Sequence, residues 1–378
     1  MAVVASERRE RFLSSPLRYL DPLLFGSAAL LAALGTLMIY ASTRHRLELQ
    51  GMDPLFYVKR QLLAIAVGLV VMVALMLIDY RHLRELSLLG YGATVLMLIV
   101  VLKFGVSVKG AQARFDIGAF QIQPAEFAKI FLTLVLAAYC TIHREEMGAR
   151  RLFVALVICA VPMGLIMLQP DLGTDLVLMA MAFTILLMAG TRARHLVVLL
   201  LMGLTFAVVA VDAGVLDQYQ IDRLTSFDNS GADTEGAGYN QDQSVTAVGA
   251  GGLTGQGLFG GSQTIGAHVP EQHTDFIFTV VGEELGFVGG ALVLGLFGVI
   301  VWRTSRAARL AQDPFGMLCC MGVLAMFVAQ VFENVGMATG IMPVTGIPLP
   351  FMSYGGSSVI VSFACIGLVG NVRMRRFS

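Results

Sequence analysis

Ionisable side chains stand in this sequence where the chain is otherwise hydrocarbon. In PEQHTDFIFTVVGEELGFVGG, residues 270–290, His273, Asp275, Glu283 and Glu284 interrupt an apolar run. A charge at the centre of a bilayer costs roughly 2.5–3.5 kcal/mol on insertion scales, so such groups normally face a bundle interior or a wet cavity and mark a site. Three other stretches share that character. ARFDIGAFQIQPAEFAKI, 113–130, places Glu126 and Lys129 three apart, on one helical face, behind a proline suited to a helix start. QPDLGTDL, 169–176, joins two apolar runs with almost no loop, which frees backbone groups that protein or water must satisfy. ENVGMATGIMPVTGIPLPFMSYGGSS, 333–358, is broken by prolines and glycines. Together they describe one cavity lined by Arg114, Glu126, Lys129, Asp171, Arg223, Asp275, Glu283 and Ser353. Acids beside cations suit a polar or charged ligand reached partly from lipid. Plainer roles compete: Glu126 and Lys129 as a structural ion pair, and Asp275 or Thr274 as a helix N-cap. His273 reads as a supporting or surface residue rather than a base, and Glu283 as a structural or proton-relay residue.

The elements that must position these groups follow from composition. The 378 residues are 56% hydrophobic and 14% charged, with a mean hydropathy of +0.76. Soluble domains carry about 25% charged residues, so the chain is too poor in charge to cover a water-facing surface. It reads as an all-α polytopic membrane protein forming a single domain over 1–378. Its zero net charge gives no basic face for nucleic acid. Ten runs approach the ~20 apolar residues a spanning helix needs: 21–42, 58–78, 86–103, 123–141, 152–168, 172–190, 195–212, 276–301, 315–340 and 353–371. With the N-terminus inside, 17 of the 26 Lys and Arg fall on inner segments and 9 on outer ones, so both termini are expected to be cytoplasmic.

One connection stands out. Residues 213–275, between the seventh and eighth spans, form a long acidic, glycine-rich outer loop whose one basic residue is Arg223. Loops this long are usually functional or disordered. The pattern GYNQDQSVTAVGAGGLTGQGLFGGSQ within it, with Gln243 and Ser244, predicts short amphipathic or re-entrant pieces. The five cysteines all lie in apolar runs without ligand spacing and read as buried packing residues.

Five blocks in order, ARFDIGAFQIQPAEFAK, QPDLGT, GYNQDQS…GGLTGQGL, PEQHTDFIFTVVGEELG and MPVTGIPLPFMSYGGSS, make the sequence resemble the SEDS family (shape, elongation, division and sporulation) over nearly its whole length. The last block is closer to the elongation member, RodA, than to the division member, FtsW. The resemblance implies a peptidoglycan glycosyltransferase in the bacterial cytoplasmic membrane. It would polymerise lipid II at the outer face, beside a class B penicillin-binding protein that crosslinks the strands. It carries the family's key aspartate onto Asp275, its Q-P-x-E-x-x-K pattern onto Gln123, Pro124, Glu126 and Lys129, and its arginines onto Arg114 and Arg223. Gln243, Ser244 and Ser353 join the expected substrate-binding set. Two departures are Phe115, where the family often has tryptophan, and SFDNSGADTEG, which lacks the usual proline.

Glycosyl transfer from a lipid diphosphate needs a base for the acceptor hydroxyl, positive charge for the leaving diphosphate, and an apolar groove. Asp275 is the expected base, and Arg114, Lys129 and Arg223 are the expected cations. No spacing supports a protein metal site, although Asp275 and Glu126 could touch a divalent Mg or Mn ion carried by the substrate. A transporter of the lipid-linked precursor and a non-catalytic scaffold are the rival readings. Broken spans favour the transporter, whereas the outer concentration of polar residues disfavours it.

Overall fold

Aspartates start several of the helices. The structure, a computed structural model, describes residues 20–108, 111–118, 120–144, 148–212, 237–266 and 268–376. Asp21 accepts from the Leu24 N–H and opens α1 (Pro22–Leu49), with Pro22 at its first position. α2 (Phe56–Leu77) follows, and Asp79 caps α3 (Tyr80–Phe104). After the small antiparallel sheet β1 (Val106–Val108), β2 (Ala111–Ile117) and β3 (Phe120–Ile122) come α4 (Pro124–Ile142), α5 (Ala149–Met167), α6 (Leu172–Met188) and α7 (Ala193–Asp212). Asp171 caps α6. Beyond residue 236 are α8 (Ala237–Ala250), the single turn α9 (Ser262–Ile265), α10 (Ile277–Arg309), α11 (Pro314–Ala338), capped by Asp313, and α12 (Gly356–Met374).

A helix occupies each of the ten predicted positions. Among the described residues eight are long and apolar enough to cross a membrane: α1 to α5 and α10 to α12. α6 is a shorter apolar helix of 17 residues, and α7 fills the remaining position. The protein is therefore a mostly helical, multi-pass membrane protein. The strands were not expected. Val106 pairs with Arg114 and Phe115 with Ile122, so a hairpin stands between α3 and α4, in a connection that the all-α reading left without strands.

The buried centre is built on α11, which packs against α4, α6 and α10, and on α12, which lies against α2. That last contact is close because Gly367 offers no side chain: a Cβ there would meet the Met72 carbonyl oxygen at 2.7 Å. All five cysteines are buried and unbridged. Exposed leucines and valines on α2, α3 and α5 face outward, as lipid-contacting surface does.

Of the long loop, residues 237–266 and 268–275 are described, and its first part, 213–236, lies outside the described residues. Its glycine-rich stretch does fold back, onto a break in α10. Gly286 adopts φ 66°, ψ −161°, a conformation open in practice only to glycine, and the helical hydrogen bonding stops there. The loop replaces what is lost. Gln256 and Gly257 donate to the carbonyls of Glu283 and Glu284 at 2.9 and 3.1 Å, and Phe287 and Val288 donate to those of Gly252 and Leu253 at 2.9 and 3.1 Å. Side chains at Gly251 or Gly255 would strike the Gly282 or Glu284 carbonyl, so both must stay bare.

Candidate functional site

Pro124 starts α4, whose first two turns carry Glu126 and Lys129 into the bundle. Lys129 Nζ donates to Glu126 Oε1 at 2.7 Å, and the two residues are 1% and 3% exposed. An ion pair so buried is stable only as a pair, because removing either charge strands the other. The residue before the helix, Gln123, reaches sideways and donates from Nε2 to Asp171 Oδ2 at 3.1 Å. Asp171 also accepts from the N–H and hydroxyl of Thr174 at 3.0 and 2.9 Å, which caps α6 and fixes the carboxylate. The Gln123 N–H donates to the hydroxyl of Ser357 at 3.0 Å, which in turn donates to the Gln121 carbonyl at 3.1 Å. The hairpin, α4, α6 and α12 thus meet around one glutamine.

Glu333 on α11 enters the same interior at 6% exposure and feels the charges of both Lys129 and Asp171. Its neighbour Asn334 makes the decisive link. The Asn334 Nδ2 group donates to the carbonyls of Asp275 and Ile347, each at 2.7 Å. It is wholly buried. A single amide therefore ties the 270–276 segment to the broken stretch after α11. The backbone bond from Tyr354 N–H to the His273 carbonyl, 2.9 Å, makes a second tie.

The turn holding Asp275 is set by Glu271. Glu271 sits at φ 54°, and its carbonyl gathers the N–H groups of Thr274, Asp275 and Phe276 at 3.1, 3.1 and 3.4 Å. Asp275 is half-buried directly before α10. The N-cap position belongs to Phe276 and carries no side-chain cap bond, while the Thr274 hydroxyl turns back to Glu271. The capping role that the sequence allowed for Thr274 is not used. His273 is 8% exposed and packs between the rings of Tyr57 and Tyr354 at centroid distances of 4.7 and 5.7 Å, in a supporting position.

Glu283, fully buried two turns into α10, accepts from the N–H groups of Gln263 and Thr264 at 2.7 and 3.0 Å and from the Thr264 hydroxyl at 2.7 Å. Its charge is spent holding the short turn α9. Glu284, next to it on the same side of the break, is buried near Phe259 and within the field of Arg44. Arg44 donates to the Phe259 carbonyl at 3.4 Å and lies over its ring at 4.4 Å.

The remaining expected residues are more dispersed. Arg114 stands half-exposed on β2, with Nη1 3.4 Å from Gln121 Oε1. Gln243 is half-buried on α8. Ser244 is buried and donates to the Ala338 carbonyl at 2.8 Å, fastening α8 to α11. Ser353, 1% exposed, accepts from the Leu349 N–H at 2.8 Å, and its carbonyl accepts from Gln61 at 3.2 Å. Those two hydroxyls serve interior ties in this structure. Arg223 lies outside the described residues. Among the described residues no group of three or more His, Cys, Asp or Glu is placed to hold a metal ion. Asn334 and Gln123, the residues that join the clusters, escaped any assignment beyond their motifs. No spacing rule flags an amide that bridges distant carbonyls.

A family model for cell cycle proteins, covering FtsW, RodA and SpoVE, matches residues 21–377. The stage V sporulation protein E of Bacillus subtilis is 39% identical over 356 residues, 93% of this chain and 96% of that protein. The peptidoglycan glycosyltransferase MrdB of Escherichia coli K12 is 34% identical over 363 residues, covering 95% and 94%. A solved structure concerned with the coordination of polymerization and crosslinking by a peptidoglycan synthase complex superposes with a TM-score of 0.81 at 32% identity, covering 95% of this chain and 99% of that one.

Proposed function

The chain belongs to the SEDS family of FtsW, RodA and SpoVE proteins, and from that premise we infer that it is a peptidoglycan glycosyltransferase that polymerises lipid II at the outer face of the cytoplasmic membrane. The observation that carries the reading is the Asn334 bridge. It gathers the Asp275 turn, the 339–355 stretch and, through Glu333 next to it, the Glu126–Lys129 pair around one interior. Asp275 is the general base. It takes the proton from the acceptor sugar hydroxyl as that oxygen bonds to the anomeric carbon of the donor, while the carbon–oxygen bond to the diphosphate breaks and its electron pair leaves with the phosphate. The leaving group needs positive charge rather than a strong acid. Arg114 and Arg223 supply it directly. Lys129, sealed in this state, acts through its field until the helices around it part. Because Glu126 is committed to Lys129, a divalent cation that enters this reaction comes with the diphosphate rather than in a protein cage.

A class B penicillin-binding protein is the proposed partner, supported by the resemblance to a chain of a peptidoglycan synthase complex. The elongation role rests on the RodA-like 333–358 block. The test is polymerisation of lipid II by the purified chain with its partner in detergent, where sidedness is absent. Glycan ladders are expected from the wild type and none from Asp275→Ala, with folding and partner binding intact. Ladders of equal yield from the variant would remove Asp275 from the reaction. A chain inert in detergent that moves lipid between vesicle leaflets would instead be a transporter.

A further inference from the structure

A groove of about 750 Å³ lies between the start of α3, the end of α4, the middle of α5 and the start of α11. The residues of α4 that line it, Val135 to Ile142, lie between about 9 and 20 Å from Lys129 along the helix, toward its other end. It is therefore separate from the site around Asp275. Its volume falls in the range of ligand pockets.

The groove is graded. Leu88, Val135, Ala138, Ile142, Ile158 and Phe315 form an apolar wall, and Val135 lies about 10 Å deeper than Ile142 along α4. Charge is confined to the mouth, where Arg81, Arg84, Glu85 and Asp313 stand. Asp313 is already engaged: it accepts from the Tyr80 hydroxyl and the Gly316 N–H, both at 2.7 Å, and lies 3.9 Å from Arg81 Nε. Arg81 is held at the rim by its bond to Gln312 Oε1 at 2.8 Å, and Arg84 is exposed. Arg150, at the start of α5, adds an exposed guanidinium near this end of the bundle. Leu88 is 70% exposed on the outer surface of a spanning helix, so the apolar wall runs on into the lipid-facing surface.

A charged mouth, an apolar floor and a side open to lipid match an amphiphile with an anionic head. We propose that this groove binds an anionic glycerophospholipid of the cytoplasmic leaflet, its phosphate at Arg81 and Arg84 and an acyl chain along Leu88, Val135 and Ile158. Basic pockets between spanning helices on the cytoplasmic side recognise phospholipid headgroups in this way. The leaflet assignment rests on the topology proposed above, whereas the binding itself does not. Lipid retention measured in detergent is blind to orientation and to glycosyl transfer, so failure here and failure of the functional reading are distinguishable.

The experiment is native mass spectrometry of the full chain, delipidated and incubated with equal amounts of dioleoyl phosphatidylglycerol and dioleoyl phosphatidylcholine. Phosphatidylglycerol should be retained preferentially. Arg84→Ala should cut that preference about 5-fold and Arg81→Ala/Arg84→Ala about 20-fold, the scale expected for basic residues at an anionic lipid surface. Ala138→Phe, which fills the floor without touching charge, should lower retention of both lipids. Arg306→Ala/Arg309→Ala, at the end of α10, should change neither. Equal retention of the two lipids, or a double arginine variant that folds and keeps the wild-type preference, would overturn the proposal. So would displacement of the lipid by free glycerol phosphate at equal concentration, since the site would then read phosphate alone.

Discussion

The two ends of this helical bundle treat charge in opposite ways. At the Asp21 end, charged residues finish helices. Asp21 caps α1 and also receives Arg303 Nε at 2.6 Å, with Arg373 paired to the same carboxylate. The ends of α1, α10 and α12 are thereby pinned together. At the Asp275 end, the helices are interrupted before the charges are reached. Pro170, Glu271 and Phe351 all take positive φ there, a hairpin fills one connection, and α10 is split at Gly286. Both ends bury ionised groups, yet only one surrounds them with irregular backbone. Irregular backbone at membrane depth survives only where protein or a wet cavity satisfies it, so its concentration at one end separates the candidate site from a structural clasp.

The largest effects should come from breaking each buried charge set, and the comparison predicts different consequences. Lys129→Ala strands Glu126, and Asp21→Ala leaves Arg303 and Arg373 facing one another. Each should cost about 3–5 kcal/mol, read as a fall in thermal midpoint in detergent. The paired replacement Glu126→Gln/Lys129→Met should regain most of the stability but not glycan synthesis, whereas Asp21→Ala should still polymerise at a temperature where it is folded. If the Glu126/Lys129 replacement polymerises normally, the two ends are both clasps and the contrast fails. Next in size is Asn334→Ala, which leaves the carbonyls of Asp275 and Ile347 without their shared donor. A loss of about 1–3 kcal/mol is expected, together with a drop in turnover greater than the loss of folded protein, because the amide sets where Asp275 stands. Equal losses in both would mean that Asn334 only stabilises. Smallest is Asp53→Asn. The ammonium of Lys59, 2.5 Å away, and the Leu55 N–H hold the Asp53 carboxyl below its usual value, but the pair is fully exposed to solvent. Any stability it adds is present at neutral pH and fades as acid protonates the carboxyl, so the variant should match the wild type in thermal midpoint and activity at low pH and differ barely at neutral pH.

Helix number and placement were legible in the sequence because a spanning helix announces itself in twenty consecutive residues. The hairpin at 106–122 was not. Its strands are short, with three, seven and three residues, and a polar connection between two spans hides their alternation. The site was legible in part. Glu126 and Lys129 three apart, and Asp275 at the lip of an apolar run, showed in residue type and spacing. Their union depends on Gln123 meeting Asp171, 48 residues away, and Asn334 meeting Asp275, 59 residues away, and such pairings exist only after the chain folds. Ser244 and Ser353 show the converse. A hydroxyl in a promising motif carries no mark of whether its partner is a ligand or, as here, the protein's own backbone.

The break at Gly286 has a mechanical consequence. The carbonyls of Glu283 and Glu284 bond to one side of the 252–257 strap, and the first N–H groups of the long membrane rod that begins at Phe287 bond to the other. What joins that rod to the turn carrying the carboxylate eleven residues upstream is therefore one bare glycine and its strap, rather than an unbroken helical ladder.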